Sequence, residues 1–399
     1  MQKKIKVKVL KSESNCCTSE ELTLNDNQVI SLLPSASDDE KEILYMSDPF
    51  IDSHAHVYDG ATDLDICADR IGYQTGVHLI VDAGSSGAIN YPCFKHYVIP
   101  ASRTPIKVFL NISRIGIVTK QPYYDERVID LDAAIRCIKE DDTHTILGIK
   151  VLSSGIIVEH AGIKPLKAAV EAAEKANVRI MAHLVEGPPS NEDTIPLMRQ
   201  GDIITHCFHG KPNVAANKKA SRGKPLNPEY YSLDNVMWHP DGSPTKVIED
   251  ALTRGVCFDV GHGAGSFDQY VAGAVIRLGF RDFSISTDAH IRSLDSVVHS
   301  LPHVMSKFMA LGMSLQEVIR SVTSIPAKQL GIKNWCGNLL QNATLFRVRP
   351  VNQQDTPFID ANHISIPVNM VIEPVAIILN GEFQTLNREY FKKAYPFGC

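Results

Sequence analysis

The chain has 399 residues, 44% hydrophobic and 21% charged, with a formal net charge of −5. That length buries a large core, either as one large α/β domain with a satellite or as two to three domains. The charge balance leaves no electrostatic footprint for nucleic acid, and no run reaches the roughly 18–20 apolar residues that span a bilayer.

The N-terminus, MQKKIKVKVL, alternates apolar with basic residues, which is the period of a strand and not the apolar core of a signal peptide. Residues from about Lys3 to Met46 read as short strands broken by polar clusters such as Ser35 to Asp39. From Phe50 the texture becomes regular. Apolar runs of strand length recur at 50–56, 77–84, 106–113, 145–152, 179–184, 202–208, 256–263 and 283–290. Segments with helical spacing lie between most of them. Leu166, Val170, Ala173 and Ala176 fall on one helical face, and Val247, Ala251 and Leu252 precede Gly255 in the C-terminal stop position. Eight strands alternating with helices predict a parallel (β/α)8 barrel over 49–338. A doubly wound sheet is the alternative and ranks below it, because no G-x-G-x-x-G opens a helix.

The run ATLFRVRP and the later ISIPVNMVIEPVAIIL return to strand texture. They are expected to pair with the N-terminal strands, so that 1–48 and 339–399 form one small β domain. One stretch, 209–242, breaks the barrel rhythm; being long, polar and rich in Pro, Gly and Asn, it is expected to be a mobile excursion over one barrel end. Its basic patch, Lys211 to Lys224, reads as solvated loop surface. Nine cysteines without C-x-x-C spacing do not make a disulfide framework and fit a reducing cytosol. A soluble cytoplasmic protein is expected, a homo-oligomer with a small-molecule substrate and neither nucleic-acid nor membrane partners.

The stretch FIDSHAHV ends the first barrel run. Residues i and i+2 of a strand point the same way, so Asp52, His54 and His56 share a face. Two neutral imidazoles there suit a divalent cation such as zinc, and equally suit two hydrogen-bonded histidines at a strand end. Barrel active sites lie at the C-terminal ends of the strands. Those positions hold His54 and His56 on strand one, Lys150 on strand four, His183 on strand five, His206 on strand six and Asp288 on strand eight. Singly, each has a bland reading: a hydrogen-bonded histidine, or an aspartate capping a helix. Lys150 is harder to dismiss, because an unpaired buried ammonium is costly; it must snorkel, find an anion or be chemically changed. His262, ending strand seven, is a candidate to hold substrate or a structural residue. Cys207 alternates to the face opposite His206 and reads as core.

The set H-x-H, Lys, His, His, Asp on successive strands resembles that of the amidohydrolase superfamily. The strings FIDSHAHVYDG, VDAGSSGAIN, LNIS, LGIKV, THCFHGK, FDVGHGAGSF, ISTDAH and MSKF resemble the dihydroorotase-like deacetylases within it, over roughly residues 48 to 350. The resemblance implies a binuclear metal site, zinc foremost. His54, His56 and Asp288 would hold the more buried metal, and His183 and His206 the more exposed one. Lys150, carboxylated by carbon dioxide, would bridge them, and Asp288 would move the proton. The implied reaction is removal of an acyl group, acetyl foremost, from an N-acyl amino acid or an acylated hydroxy acid. Cyclic amide hydrolysis of dihydroorotase type is the alternative. A non-catalytic barrel scaffold is a third reading, which loss of ligands would mark; all six are present. Departures bear on specificity. Leu152 stands where the family usually has Arg, His78 lies in a run where relatives tend to have threonines, and the 209–242 excursion is longer than the family's.

Overall fold

The computed structural model describes residues 2–11, 17–35, 43–62, 64–119, 121–211 and 236–387. Eight strands form one parallel sheet in chain order: β5 (Phe50–Ala55), β6 (Val77–Gly87), β7 (Ile106–Asn111), β8 (Ile146–Leu152), β9 (Arg179–His183), β10 (Ile203–Thr205), β11 (Cys257–Asp259) and β12 (Phe283–Ser284). The two edges meet past β12. Ala55 bridges Ala289, the His56 N–H donates to the Ala289 carbonyl (2.9 Å), and the Asp288 N–H donates to the His54 carbonyl (2.6 Å). The expected (β/α)8 barrel is present.

The intervening helices follow from local sequence. Helix Lys164–Ala176 carries Pro165 in its first turn, where a missing N–H costs nothing. It buries Leu166, Ala169 and Ala173 and ends at Asn177 in the left-handed conformation. Helix Lys246–Arg254 stops at Gly255 (φ 80°), as the sequence predicts.

The last three barrel strands are shorter than their apolar runs. Past Thr205 the chain turns left-handed at His206 (φ 66°), past Asp259 at Gly261 (φ 47°) and Gly263 (φ 52°), and past Ser284 at Asp288 (φ 46°). Residues with positive φ leave the ladder, so the apolar text continues where the strand does not. These departures all fall at the end of the barrel where candidate ligands gather.

Strands from both chain ends build a second, closed sheet: β1 (Gln2–Leu10), β2 (Cys17–Asn25) and β3 (Gln28–Pro34), then β15 (Glu382–Thr385), β14 (Met370–Leu379), β13 (Ala343–Pro350) and β4 (Leu44–Ser47). Val7, Val9, Leu22, Leu24, Met46, Leu345 and Ile378 fill its core. Residues 388–399, assigned to this unit from sequence, lie outside the described residues.

One aromatic contact ties the second sheet to the barrel, and a second braces it from within the sheet. Phe346, fully buried on β13, stacks on Tyr45 (5.6 Å between centroids) and tilts against Phe50 of β5 (5.8 Å). Phe346→Ala is therefore expected to cost about 3–5 kcal/mol in urea unfolding. A loss below about 1 kcal/mol, the scale of a conservative core swap, would show that the joint is held elsewhere. His78 belongs to the same joint. It sits at the N-terminal end of β6, and its buried Nε2 donates to the Ile378 carbonyl of β14 (3.1 Å). Burial pushes this imidazole down to about 4, so it is neutral. The expectation that His78 alters the surroundings of the site is overturned, since its partners are in the terminal sheet.

Among the described residues, no helix is long and apolar enough to cross a membrane. Among the described residues Cys93, Cys137, Cys207 and Cys257 are free and Cys67 is disulfide-bonded, so the scattered spacing, which predicted no disulfide framework, does not assign a redox compartment.

Candidate metal centre

The barrel brings all six predicted residues to one mouth. Lys150 Nζ lies 3.1 Å from His54 Nε2, and Asp288 Oδ1 lies 3.2 Å from His56 Nε2 and 3.5 Å from His54 Nε2. The His54 and His206 rings are 5.2 Å apart between centroids, and those of His183 and His206 are 4.3 Å apart. Candidate donor atoms of His54, His206 and Asp288 all fall within 4.8 Å of one another. Five of the six are buried; His183 is half-buried, the most open of the set. Asp52, on the same strand face, is fully buried and accepts both the N–H and the hydroxyl of Thr287. Burial raises its carboxyl to about 7.

The imidazoles are aimed from behind. Thr205 Oγ donates to Asp259 Oδ2 (2.7 Å), so that hydroxyl is left to accept from His54 Nδ1 (2.8 Å). Ser85 Oγ donates to Asp65 Oδ1 (2.8 Å) and accepts from His56 Nδ1 (3.0 Å) in the same way. His206 Nδ1 donates to the Gly261 carbonyl (2.7 Å), which can only accept. In each ring a proton is thereby drawn to Nδ1; Nε2 of His54 then faces Lys150, while, despite burial, the Asp288 carboxylate against Nε2 of His56 raises that imidazole above its ordinary range. Among the described residues, neither ring nitrogen of His183 has a hydrogen-bond partner.

Glycines make room for this packing. A Cβ on Gly84 of β6 would lie 2.6 Å from both Cβ and Cγ of Lys150, so only glycine lets that side chain pass. On the loop after β11, a Cβ on Gly261 would lie 2.8 Å from His206 Nδ1, and one on Gly263 would lie 2.3 Å from Asp288 Oδ2. His206 and Asp288 themselves hold left-handed backbones, a strain that concentrates at functional sites.

Burial pushes His54, His183 and His206 below the ordinary imidazole range, which favours the neutral, ligating form. It also lowers the Lys150 ammonium to about 8. The donor set fits divalent metal chemistry: imidazole nitrogens and a carboxylate, with zinc the natural match. Four imidazoles and one carboxylate are few for two metals, and the gap lies where Lys150 sits. A second group, His56, Asp65 and Asp82, also has close donor atoms. Its Asp82 already accepts the N–H groups of Val57, Gly84 and Ser85, so it is committed to holding the loop.

His262 is fully buried. Its Nδ1 meets the Gly263 carbonyl (3.0 Å), its Nε2 meets Lys307 Nζ (2.9 Å), and its ring stacks on Phe267. Both nitrogens are thus engaged inside the protein. Leu152 is buried in the main core, and Cys207 is fully buried, as expected. Of the 209–242 excursion, residues 212–235 lie outside the described residues. The sequence reading missed Thr205, Asp259, Ser85 and Asp65 as supports. The available signal was a lone carboxylate in a short apolar run, Asp259 in VCFDVGHG.

No family model matches the chain. It is 31% identical over 347 residues to a deacetylase of Brucella anthropi, covering 86% of this chain and 81% of that protein. Among solved structures, a dihydroorotase superposes with a TM-score of 0.76 at 28% identity, covering 96% of this chain and 97% of that one. An adenine deaminase superposes with a TM-score of 0.78 at 25% identity, covering 95% of this chain and 98% of that one.

Proposed function

The chain belongs to the amidohydrolase superfamily, and from that premise we propose that it removes an acetyl group from an N-acetyl amino acid or an acetylated hydroxy acid. The observation that carries this reading is the convergence of His54, His56, Lys150, His183, His206 and Asp288 at one barrel mouth. The relative named a deacetylase supports the acyl group. A non-catalytic scaffold would have no need of three imidazoles oriented by dedicated partners.

In this reading His54, His56 and Asp288 would hold one divalent metal and His183 and His206 a second, and Lys150, as a carbamate, would supply the missing anionic ligand. Its neutral amine attacks the carbon of carbon dioxide, an N–C bond forms, one C=O electron pair moves onto oxygen, and the amine proton leaves to solvent. A costly buried cation becomes a two-oxygen anion facing metal ligands. When bound, the metals supply Lewis acidity toward the acyl carbonyl and lower the pKa of water. Asp288 accepts the proton of the attacking water and returns it to the departing nitrogen or oxygen. His262, whose two nitrogens meet the Gly263 carbonyl and Lys307, would shape the loop under Asp288.

Cyclic amide hydrolysis is the second reading, and the dihydroorotase structure at 28% identity favours it. Against it stands Leu152, whose apolar side chain packs in the core at the position where the family usually has Arg. The experiment is a screen of zinc-loaded protein against N-acetyl-D- and L-amino acids, O-acetylated hydroxy acids and dihydroorotate. Acetate release is expected. Ring opening of dihydroorotate without acetate release would replace the first reading with the second.

A further inference from the structure

We propose that Lys211 and His209 form a carboxylate clamp beside the metal site, so that the enzyme takes acylated acids in preference to their neutral counterparts. The inference rests on the acyl-hydrolase reading and deepens it by naming what recognises the substrate.

The clamp is built by the turn that follows β10. His206 is left-handed, the His209 N–H donates back to the His206 carbonyl (3.1 Å), and the Lys211 N–H donates to His209 Nδ1 (3.2 Å). This folds THCFHGK back on itself and anchors Lys211 to the candidate ligand His206. Because His209 Nδ1 accepts, the ring proton lies on Nε2. His209 is 3% exposed, and that buried Nε2 has no hydrogen-bond partner. It is a donor with nothing to receive its proton, and such a group is costly to bury.

Lys211 is a second donor in the same position. It is half-buried, not the solvated loop residue its composition suggested, and burial pushes its ammonium down. Among the described residues the ammonium has neither a hydrogen bond nor an ion pair. The charge that acts on it comes from Glu186, which does not reach ion-pair distance. Two unpartnered donors on one short turn call for an acceptor, and a carboxylate offers two oxygens.

Placement ties the clamp to the reaction. A Cβ on Gly265 would lie 2.7 Å from Lys211 Nζ. Gly265 lies on the loop whose Gly261 seats His206 and whose Gly263 seats Asp288. Two residues span at most about 7 Å, so with these two contacts the ammonium lies within about 12 Å of the Asp288 carboxylate. In an acylated α-amino or α-hydroxy acid the carboxylate carbon is separated from the scissile carbonyl carbon by only two atoms, roughly 4 Å away by ordinary bond lengths. With a hydrogen bond at the carboxylate and the carbonyl turned to Asp288, such an acid would span roughly 10 Å, within that bound.

The test compares N-acetylalanine and O-acetyllactate of both hands with their primary carboxamides, using zinc-loaded wild type, Lys211→Met and Lys211→Arg. In wild type the acid is expected to exceed the amide in kcat/KM by about 10- to 10²-fold, the scale of a charge-assisted hydrogen bond. Lys211→Met should collapse that ratio toward one, mainly through KM for the acid, and Lys211→Arg should keep most of it. A wild type without preference for the acid, or a Lys211→Met enzyme that keeps it, overturns the clamp. A parallel loss on acid and amide also overturns it, since that is the mark of a structural role. If no acyl compound is turned over, the acyl-hydrolase reading fails. Calorimetry with the same acid and amide then decides the clamp separately: acid-selective binding lost in Lys211→Met supports it, and binding that is equal or absent overturns it.

Discussion

Asp288→Asn is expected to lower kcat by about 10²- to 10⁴-fold, the range of a positioned acid–base group, while leaving much of the metal bound. Asp288 is the carboxylate among the six mouth residues, and its Oδ1 faces both His56 Nε2 and His54 Nε2. Its Oδ2 lies over Gly263, where no side chain competes for space. Asparagine keeps the size and one oxygen donor, so the imidazole ligands are undisturbed. It cannot take up a proton, and that is the function being removed. The measurement is kcat across pH together with zinc content by elemental analysis. A variant with near wild-type rates would take Asp288 out of proton transfer.

Lys150→Ala is expected to abolish turnover and release at least one metal. Lys150 is 1% exposed, 3.1 Å from His54, and Gly84 opposite leaves the channel through which its side chain passes. Removing it would delete the proposed bridge while sparing every imidazole. A short carboxylic acid added to the variant should restore part of both metal and rate by filling the vacated bridge. The Lys150 side chain of the zinc-loaded wild type should carry the added carboxylate in high-resolution density. A bare ammonium there, or full activity in Lys150→Ala, would sink the idea.

The convergence of the six mouth residues was legible because each sits at the end of an apolar run whose period-two text announces a strand. The (β/α)8 rhythm then assigns all those ends to one mouth. The supports behind the ligands were not legible. His54 meets Thr205 across 151 residues and Asp259 across 205, and no local pattern encodes such a pairing. The early ends of β10, β11 and β12 were missed because apolar composition signals burial, whereas the left-handed turns at His206 and Asp288 break the ladder without changing composition. His262 looked available for substrate because Lys307, which engages its Nε2, lies 45 residues on. Lys211 looked solvated because its neighbours in sequence are basic and polar, while its burial comes from the loop around Gly265.

Metal stoichiometry tests the central claim most directly: apo protein reconstituted with zinc, freed of excess, and measured alongside a His183→Asn/His206→Asn double variant. The donor set predicts about two zinc ions per chain in wild type and about one in the double variant, since five ligands suffice for two tetrahedral sites only with a bridge. One tightly held zinc per chain, unchanged by the double substitution, would contradict a binuclear centre at this mouth.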